Sequence, residues 1–320
     1  MTKRMNKAIR CITLTCASAA LLCYSALGYD DHYATAGDFE KTMIHSGDIW
    51  QFVQGQAGMD SSYDLGSAVK FDGKRLGNSD AISYQFQASK NFWLGGGWLL
   101  GLGLNSENVS IGQVSGAPVP ASIHTLQLDS DLQWWRGLWT FSARLSPALY
   151  GVENVGGDDL GFSGGILAKY YASDSVTWSF RLDVAPDSDV PVLPSAGMLL
   201  LMNDTETLVL EIGMPRTRLT YVPDRPPHWS VYGGLDLNGA VFRTSADIGK
   251  ESGFFRYNNA MASYHDLRLG VGTKYLLMPR FWAELEAGYS VYRKIDYVRI
   301  DDAVRFEPAP YIRFGLHYLF

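Results

Sequence analysis

From Val176 to Val184 the chain alternates without exception: Val176, Trp178, Phe180, Leu182 and Val184 fall on one side, and Thr177, Ser179, Arg181 and Asp183 on the other. Successive side chains of an extended chain point to opposite faces, so a period of two predicts a strand with one apolar and one polar face. The pattern returns in Ile82, Tyr84, Phe86 and Ala88, in Trp139, Phe141, Ala143 and Leu145, and in Phe281, Ala283, Leu285, Ala287, Tyr289 and Val291. A chain built this way is all-β. A soluble sandwich alternates as well, so periodicity alone does not separate a sandwich from a barrel.

Three further features favour a closed antiparallel transmembrane β-barrel. The last residues place Ile312, Phe314, Leu316, Tyr318 and Phe320 on one face and end the chain on an aromatic ring, the form of a C-terminal strand read by a barrel-assembly machinery. Aromatic residues gather at strand ends and turns, as in Phe92, Trp93, Trp98, Trp134, Trp135, Trp139, Tyr170 and Tyr171, where a membrane barrel carries its interfacial girdles. The connections also alternate between tight and long. Tight turns are expected at Gly95 to Gly97, Arg136-Gly137, Ser173-Asp174, Asn203-Asp204, Pro223 to Pro227 and Leu277 to Pro279. Long outer loops are expected near 59–79, 106–121, 149–159, 186–193, 243–262 and 294–306. Met214-Pro215 is short on the outer side. The tally is about 14 strands, with 12 as the alternative.

The N-terminus reads as an export signal. Lys3, Arg4, Lys7 and Arg10 precede an uncharged, mostly apolar stretch from Cys11 to Leu27, and Ala26 and Gly28 suit a cut before Tyr29. A retained membrane anchor is the competing reading, but the run is short and diluted by Thr, Ser and Cys against the roughly 20 apolar residues of a spanning helix. The residues before Cys16 and Cys23 do not suit a lipoprotein. Residues 1–28 are thus expected as signal peptide, 29–46 as a periplasmic segment and 47–320 as the barrel.

Cleavage changes what the composition means. All three cysteines, Cys11, Cys16 and Cys23, leave with the leader, so a disulfide or thiolate site is not expected. The chain has 27 Lys+Arg and 33 Asp+Glu, and the leader removes four basic and no acidic residues, so the mature net charge is near minus ten. A nucleic-acid partner needs concentrated positive charge and is not expected. The expected partners are outer-membrane lipid, the assembly machinery and periplasmic chaperones. The sequence sets no oligomeric state.

Leu145-Ser146-Pro147-Ala148-Leu149-Tyr150, Pro191-Val192-Leu193-Pro194-Ser195-Ala196-Gly197, and Met214-Pro215-Arg216 leading to Tyr221 resemble an uncharacterised bacterial family of outer-membrane β-barrel proteins, a domain of unknown function. The resemblance covers roughly residues 140–320. Ala148 stands in place of a Gly, and one Pro before Arg216 is missing. The resemblance implies fold and location, and it brings no catalytic residue with it.

Residues opposite the apolar row are expected to point into the lumen. The acidic candidates are Asp129, Asp131, Asp183, Glu211, Asp236, Glu284 and Glu286; the basic ones are Arg144, Lys169, Arg181, Arg218, Arg268, Lys274 and Arg313. Seven of each sign predict no strong ion selectivity. They either pair and fill the interior or line a narrow aqueous path, so the expected function is a passive pore or a structural barrel. An outer-membrane lipid hydrolase using His228 as base and Ser230 as nucleophile is the alternative, although nothing around His228-Trp229-Ser230 offers an orienting Asn or Asp. His32, His45, His124, His265 and His317 are scattered, so neither a metal nor a cofactor is expected. Asp158-Asp159 and Asp301-Asp302 fall in expected outer loops, where they could hold calcium or lipopolysaccharide-bound cations, with solvated loop charge the preferred reading.

Overall fold

The computed structural model describes residues 55–151, 159–188, 191–202, 207–223, 228–249, 253, 255–298, 300 and 302–320. The signal peptide, the segment 29–46, His32, His45, Asp158, Asp301 and the turn at Asn203-Asp204 lie outside them, as does most of the Pro223 to Pro227 turn. The described chain is a closed antiparallel barrel of 14 strands. They are β1 (Gly55–Phe71), β2 (Lys74–Gly95), β3 (Trp98–Ile111), β4 (Ser122–Arg136), β5 (Trp139–Gly151), β6 (Leu160–Ser173) and β7 (Val176–Val184). There follow β8 (Val192–Leu201), β9 (Leu208–Ile212), β10 (Arg216–Tyr221), β11 (Trp229–Arg243), β12 (Met261–Met278) and β13 (Phe281–Tyr297). The last, β14, has two segments, Asp302–Phe306 and Ala309–Leu319, with Glu307-Pro308 between them.

Each strand pairs with its neighbours in sequence, and β14 returns to pair with β1. The seam ends in a reciprocal pair of backbone hydrogen bonds, Gly55 N–H to Phe320 O and Phe320 N–H to Gly55 O, both 2.7 Å. Each described strand thus has a paired neighbour on both sides over at least part of its length. The two ends of the described chain therefore share one rim, here called the terminal rim.

The pleat sorts the side chains. Leu128, Leu145, Ile166, Phe180, Leu269, Val271, Leu285 and Phe314 point outward and are between 47% and 63% exposed, while their alternating neighbours are polar and enclosed. Two bulges shift this parity. Between Asp64 and Ser67 β1 carries one residue more than β2, and at Val291 β13 carries one more than β12. An extra residue moves every later side chain to the opposite face. Beyond Val291 the inward residues are consequently Arg293, Ile295 and Tyr297, all buried.

Two of the expected outer loops are absent. Residues 59–79 belong to β1 and β2, which run on to a two-residue turn at Asp72-Gly73 with φ of 50° and 72°. Asp-Gly is the dipeptide that takes two left-handed residues at least cost, and the primed turn it makes matches strand twist. Residues 294–306 likewise contain the end of β13 and the start of β14. These stretches look loop-like because outside the apolar belt both faces of a strand are polar.

The wall is uneven in height. β9 and β10 have 5 and 6 residues, against 15, 18 and 17 for β11, β12 and β13. Beyond Asp236, β11 has lost its β10 partner, and its free end leans across to β4 and β5. Leu237 and Val241 have the outward parity of the exposed Leu235, yet they are 4% and 3% exposed. Val241 packs with Ala148 and Tyr150 on the inner face of β5, and Leu237 with Leu193 of β8. The far half of the barrel is thereby narrowed around an apolar core. Val69, Phe71, Val109, Ile111, Phe242, Ile295 and Val304 belong to it, as do Val114, Ala117 and Val119 of the 112–121 connection and Ile248 and Tyr257 of the 244–260 connection.

Closure of the sheet predicts heat-modifiable migration: an unboiled sample should run apart from a boiled one on a detergent gel. Identical migration of a sample shown to be folded by circular dichroism would contradict closure.

Candidate functional site

The interior between the terminal rim and the apolar core is a network of ionised and phenolic groups. It is densest where β10 to β14 face β1. Glu284 and Glu286 of β13 are each 2% exposed. The Tyr232 hydroxyl on β11 lies within hydrogen-bond reach of both, 2.8 Å from Glu286 Oε2, and the Tyr311 hydroxyl also donates to Glu286. Lys274 Nζ stands 3.3 Å from Glu284. Arg218 donates to Asp236 at 2.8 Å, and its guanidinium lies 3.9 Å from the centre of the Tyr232 ring. The two tyrosines lie along the inner wall over β12 because Gly272 and Gly270 stand beneath them: a Cβ at either position would overlap Tyr232 or the Tyr311 hydroxyl.

One layer farther in, Arg268 donates to Asp266 at 2.7 Å and to Asp64 at 2.9 Å, and it covers the Tyr311 ring at 4.7 Å. Arg313 pairs with Asp60 at 3.1 Å. Farther round the wall Arg181 of β7 pairs with Asp183 at 2.9 Å, and Arg216 of β10 with Glu211 of β9 at 3.3 Å. Gln127 and Ser146 both donate to Asp129, and Gln133 donates to Asp131. Arg144 and Lys169 lie on the same inner face, half-buried, on β5 and β6. All 14 charged residues singled out from the sequence therefore stand on the inner side of the wall. An enclosed charge is tolerable when it has a partner of opposite sign, which is the pattern seen in layer after layer.

Several members of the network were not singled out: Asp60, Asp64, Asp266, Arg293, Tyr232, Tyr311 and His317. Asp60, Ser62 and Asp64 alternate with Met59, Ser61 and Tyr63, but that stretch reads as loop. Asp266 is two residues from Arg268 and was legible by parity. Tyr232 was hidden because a tyrosine in an alternating row counts as apolar, and Arg293 because the bulge at Val291 reverses its face.

Space inside is scarce. One cavity of about 60 Å³ is bounded by Asp60, Asp64, Gln85, Asn105, Asp266 and Arg268. A second, also about 60 Å³, lies toward the terminal rim among Gln87, Asn91, Asn105, Asp129, Asp131 and Arg144. Each has room for a few water molecules. Asn105 borders both, so the two are neighbours. Beyond the first, where Val109 lines it, the interior meets the apolar core. There the Tyr297 hydroxyl donates to Pro118 O, fixing the 112–121 connection, and the Tyr257 hydroxyl donates to Asp302 at 2.8 Å. Burial and the Asp302 carboxylate push the Tyr257 phenol up to about 12, so it keeps its proton at neutral pH and stays a donor.

His228 is exposed at the terminal rim, and Ser230 is buried on the inner face of β11 opposite Lys274. Among the described residues no hydrogen bond joins the two side chains. A serine nucleophile requires a base in contact and a third group to orient that base, and no hydrogen bond among the described residues sets up such an arrangement at Ser230.

Arg268→Ala should strand Asp64 and Asp266 and lower stability by roughly 3–5 kcal/mol, the usual cost of removing one member of a buried pair. Gly272→Val should also destabilise, by displacing Tyr232. Arg75→Ala, on an exposed side chain, should leave the unfolding midpoint where it is. Urea titration in detergent micelles followed by tryptophan emission measures all three, and equal midpoints for Arg268→Ala and Arg75→Ala would show that the network carries no stability.

No family model matches the chain, and no curated protein matches it. Solved structures are similar to it over most of its length at low identity. A mutant of the TodX monoaromatic hydrocarbon channel is similar over 83% of this chain and 89% of its own, at 11% identity and a TM-score of 0.46. The COG4313 outer membrane channel from Pseudomonas putida F1 covers 84% of this chain and 96% of its own, at 11% identity and a TM-score of 0.44. The KdgM porin in complex with disordered oligogalacturonate covers 82% and 98%, at 8% identity and a TM-score of 0.35. Likeness of this order fixes neither a solute nor an activity.

Proposed function

We propose that this chain is a bacterial outer-membrane barrel, exported through a signal peptide cleaved before Tyr29, and that it is a narrow passive pore for small polar solutes. The observation that carries the reading is the pair of small cavities that share Asn105, among charged inward side chains, inside a wall whose outer face is apolar. Charged side chains are expensive at membrane depth and mark pathways when they face an enclosed aqueous space. The terminal rim is then periplasmic and the apolar core lies at the outer end. In this conformation the outer end is closed by the 112–121 connection, so conduction requires that connection to leave the core.

Single-channel recording of refolded protein in a planar bilayer tests the proposal. The intact protein should show small, brief openings. Replacing residues 112–121 by a two-residue turn should raise the conductance several-fold, and Arg181→Ala with Arg268→Ala should change it. Silence from both the intact and the shortened protein would leave the structural-barrel reading, which the dense pairing of interior charge also favours. Phospholipid hydrolysis lost in Ser230→Ala would instead establish the hydrolase.

The C-terminal row is proposed as the assembly signal. Ile312, Phe314, Tyr318 and Phe320 are 44% to 49% exposed, Leu316 is half-buried, and the Tyr318 and Phe320 rings stack at 6.2 Å. Replacing Tyr318 and Phe320 together by Ser should sharply reduce the protein in the outer-membrane fraction, as read by fractionation and heat-modifiable migration. Normal insertion of that double variant would refute the assignment.

A further inference from the structure

A large hollow lies outside the barrel. The outer face of β3 to β8 is indented by a groove of about 730 Å³, bounded by Trp134, Leu132, Phe141, Ile166 and Phe180. Its floor is set by two small side chains, Ala143 and Ala168. They lie in adjacent cross-strand rows: Leu132, Ala143, Ile166 and Leu182 stand opposite one another in one, and Trp98, Trp134, Phe141, Ala168 and Phe180 in the next. The side chains around the alanines stand well out of the wall, Leu132 at 38% and Ile166 at 58% exposure.

The rows climb. Trp98 is the first residue of β3, Trp134 lies two residues from the end of β4, and Ala168 lies five from the end of β6, all counted from the terminal rim. From β3 to β8 the groove crosses five inter-strand steps of about 4.8 Å, or roughly 24 Å. With strands tilted by about 40° such a row rises about 15 Å, which is the depth of one leaflet of a hydrocarbon core about 30 Å thick. At its low end Trp98 and Trp134 stack at 5.5 Å, and the Arg136 guanidinium lies 5.6 Å from the centre of the Trp134 ring. Arg136 is exposed, and among the described residues it has no carboxylate partner.

We propose that this groove is a binding site for one phospholipid of the leaflet at the terminal rim, with an acyl chain along Ala143 and Ala168 and the phosphate at Arg136. The proposal rests on the membrane placement argued above, though not on the pore. A lipid tail is as apolar as the side chains it would touch, so the chain contributes packing and no hydrophobic gain. Preference must come from the shape of the groove and from the cation at its mouth. A second copy of this chain would need its own convex ridge there, and the groove as described shows no such ridge on the outer face of β3 to β8.

The test is native mass spectrometry of the full-length protein in mild detergent, titrated with phosphatidylglycerol or phosphatidylcholine. Wild type should retain one phosphatidylglycerol and prefer it to phosphatidylcholine. Arg136→Ala, in an exposed turn, should weaken phosphatidylglycerol by about fivefold, the worth of one basic residue at a membrane surface, and should erase the preference. Ala168→Trp should fill the groove and abolish the tight site, with unchanged heat-modifiable migration as proof of folding. Undiminished binding in Ala168→Trp, a head-group preference that survives Arg136→Ala, or a wild-type dimer that Ala168→Trp dissociates would each overturn the proposal. If the protein fails to enter membranes at all, the membrane reading falls with it; a normally inserted barrel with no preferred lipid sinks this inference alone.

Discussion

The hydrogen-bonded seam between Gly55 and Phe320 conditions the rest of the molecule. A sheet whose outer face is apolar cannot leave a strand edge unpaired without forfeiting its backbone hydrogen bonds in an environment that supplies no replacements. Joining the two ends of the sheet removes that difficulty and imposes a second one. Once the ring is shut, the pleat dictates that every other side chain points into a confined space, and the chain has to make that space acceptable to a long series of polar groups.

It does so by matching sign and size. Arg268 between Asp64 and Asp266, and Arg218 between Asp236 and Glu286, place one guanidinium against two carboxylates. Tyr232 and Tyr311 converge from β11 and β14 on the β13 carboxylates, each set over a glycine. Farther along, where the wall is no longer belted by apolar residues, burial is achieved differently. The free end of β11 turns into the barrel, and an aliphatic and aromatic core replaces the ionic network. The interior is therefore polar over one part of its length and apolar over the next, and the boundary lies near Asn238 and Tyr264, which border the inner cavity.

Much of this is legible in the residues alone. Val176 to Val184 and Phe281 to Tyr289 announce both their strand character and which face is which, because an apolar exterior and a polar interior are enforced at every step. The strand count follows from turn chemistry. The ends of the tall strands resist the same reading. Past the belt both faces are polar or both are buried, as with Leu237 and Val241, so the period of two fades although the strand continues. Asp72-Gly73 was the one local cue that β1 and β2 form a long hairpin. Bulges leave no compositional trace, which is why Arg293 was missed, and the groove over Ala143 and Ala168 is invisible in sequence because alanine in an alternating row is unremarkable until the register sets it among Leu132, Phe141 and Ile166.

The short strands β9 and β10 give the cylinder a mechanical asymmetry. Shear resistance in a sheet grows with the number of ladder bonds shared by adjacent strands, and β11 to β13 share long ladders whereas β8 to β10 share short ones. Local opening has its lowest free energy where cooperative pairing is least. Lateral tension applied to the wall would accordingly concentrate its strain along β8, β9 and β10, so that this arc yields elastically while the tall arc beside it keeps its shape, and the cross-section changes by flattening on one side instead of widening all round.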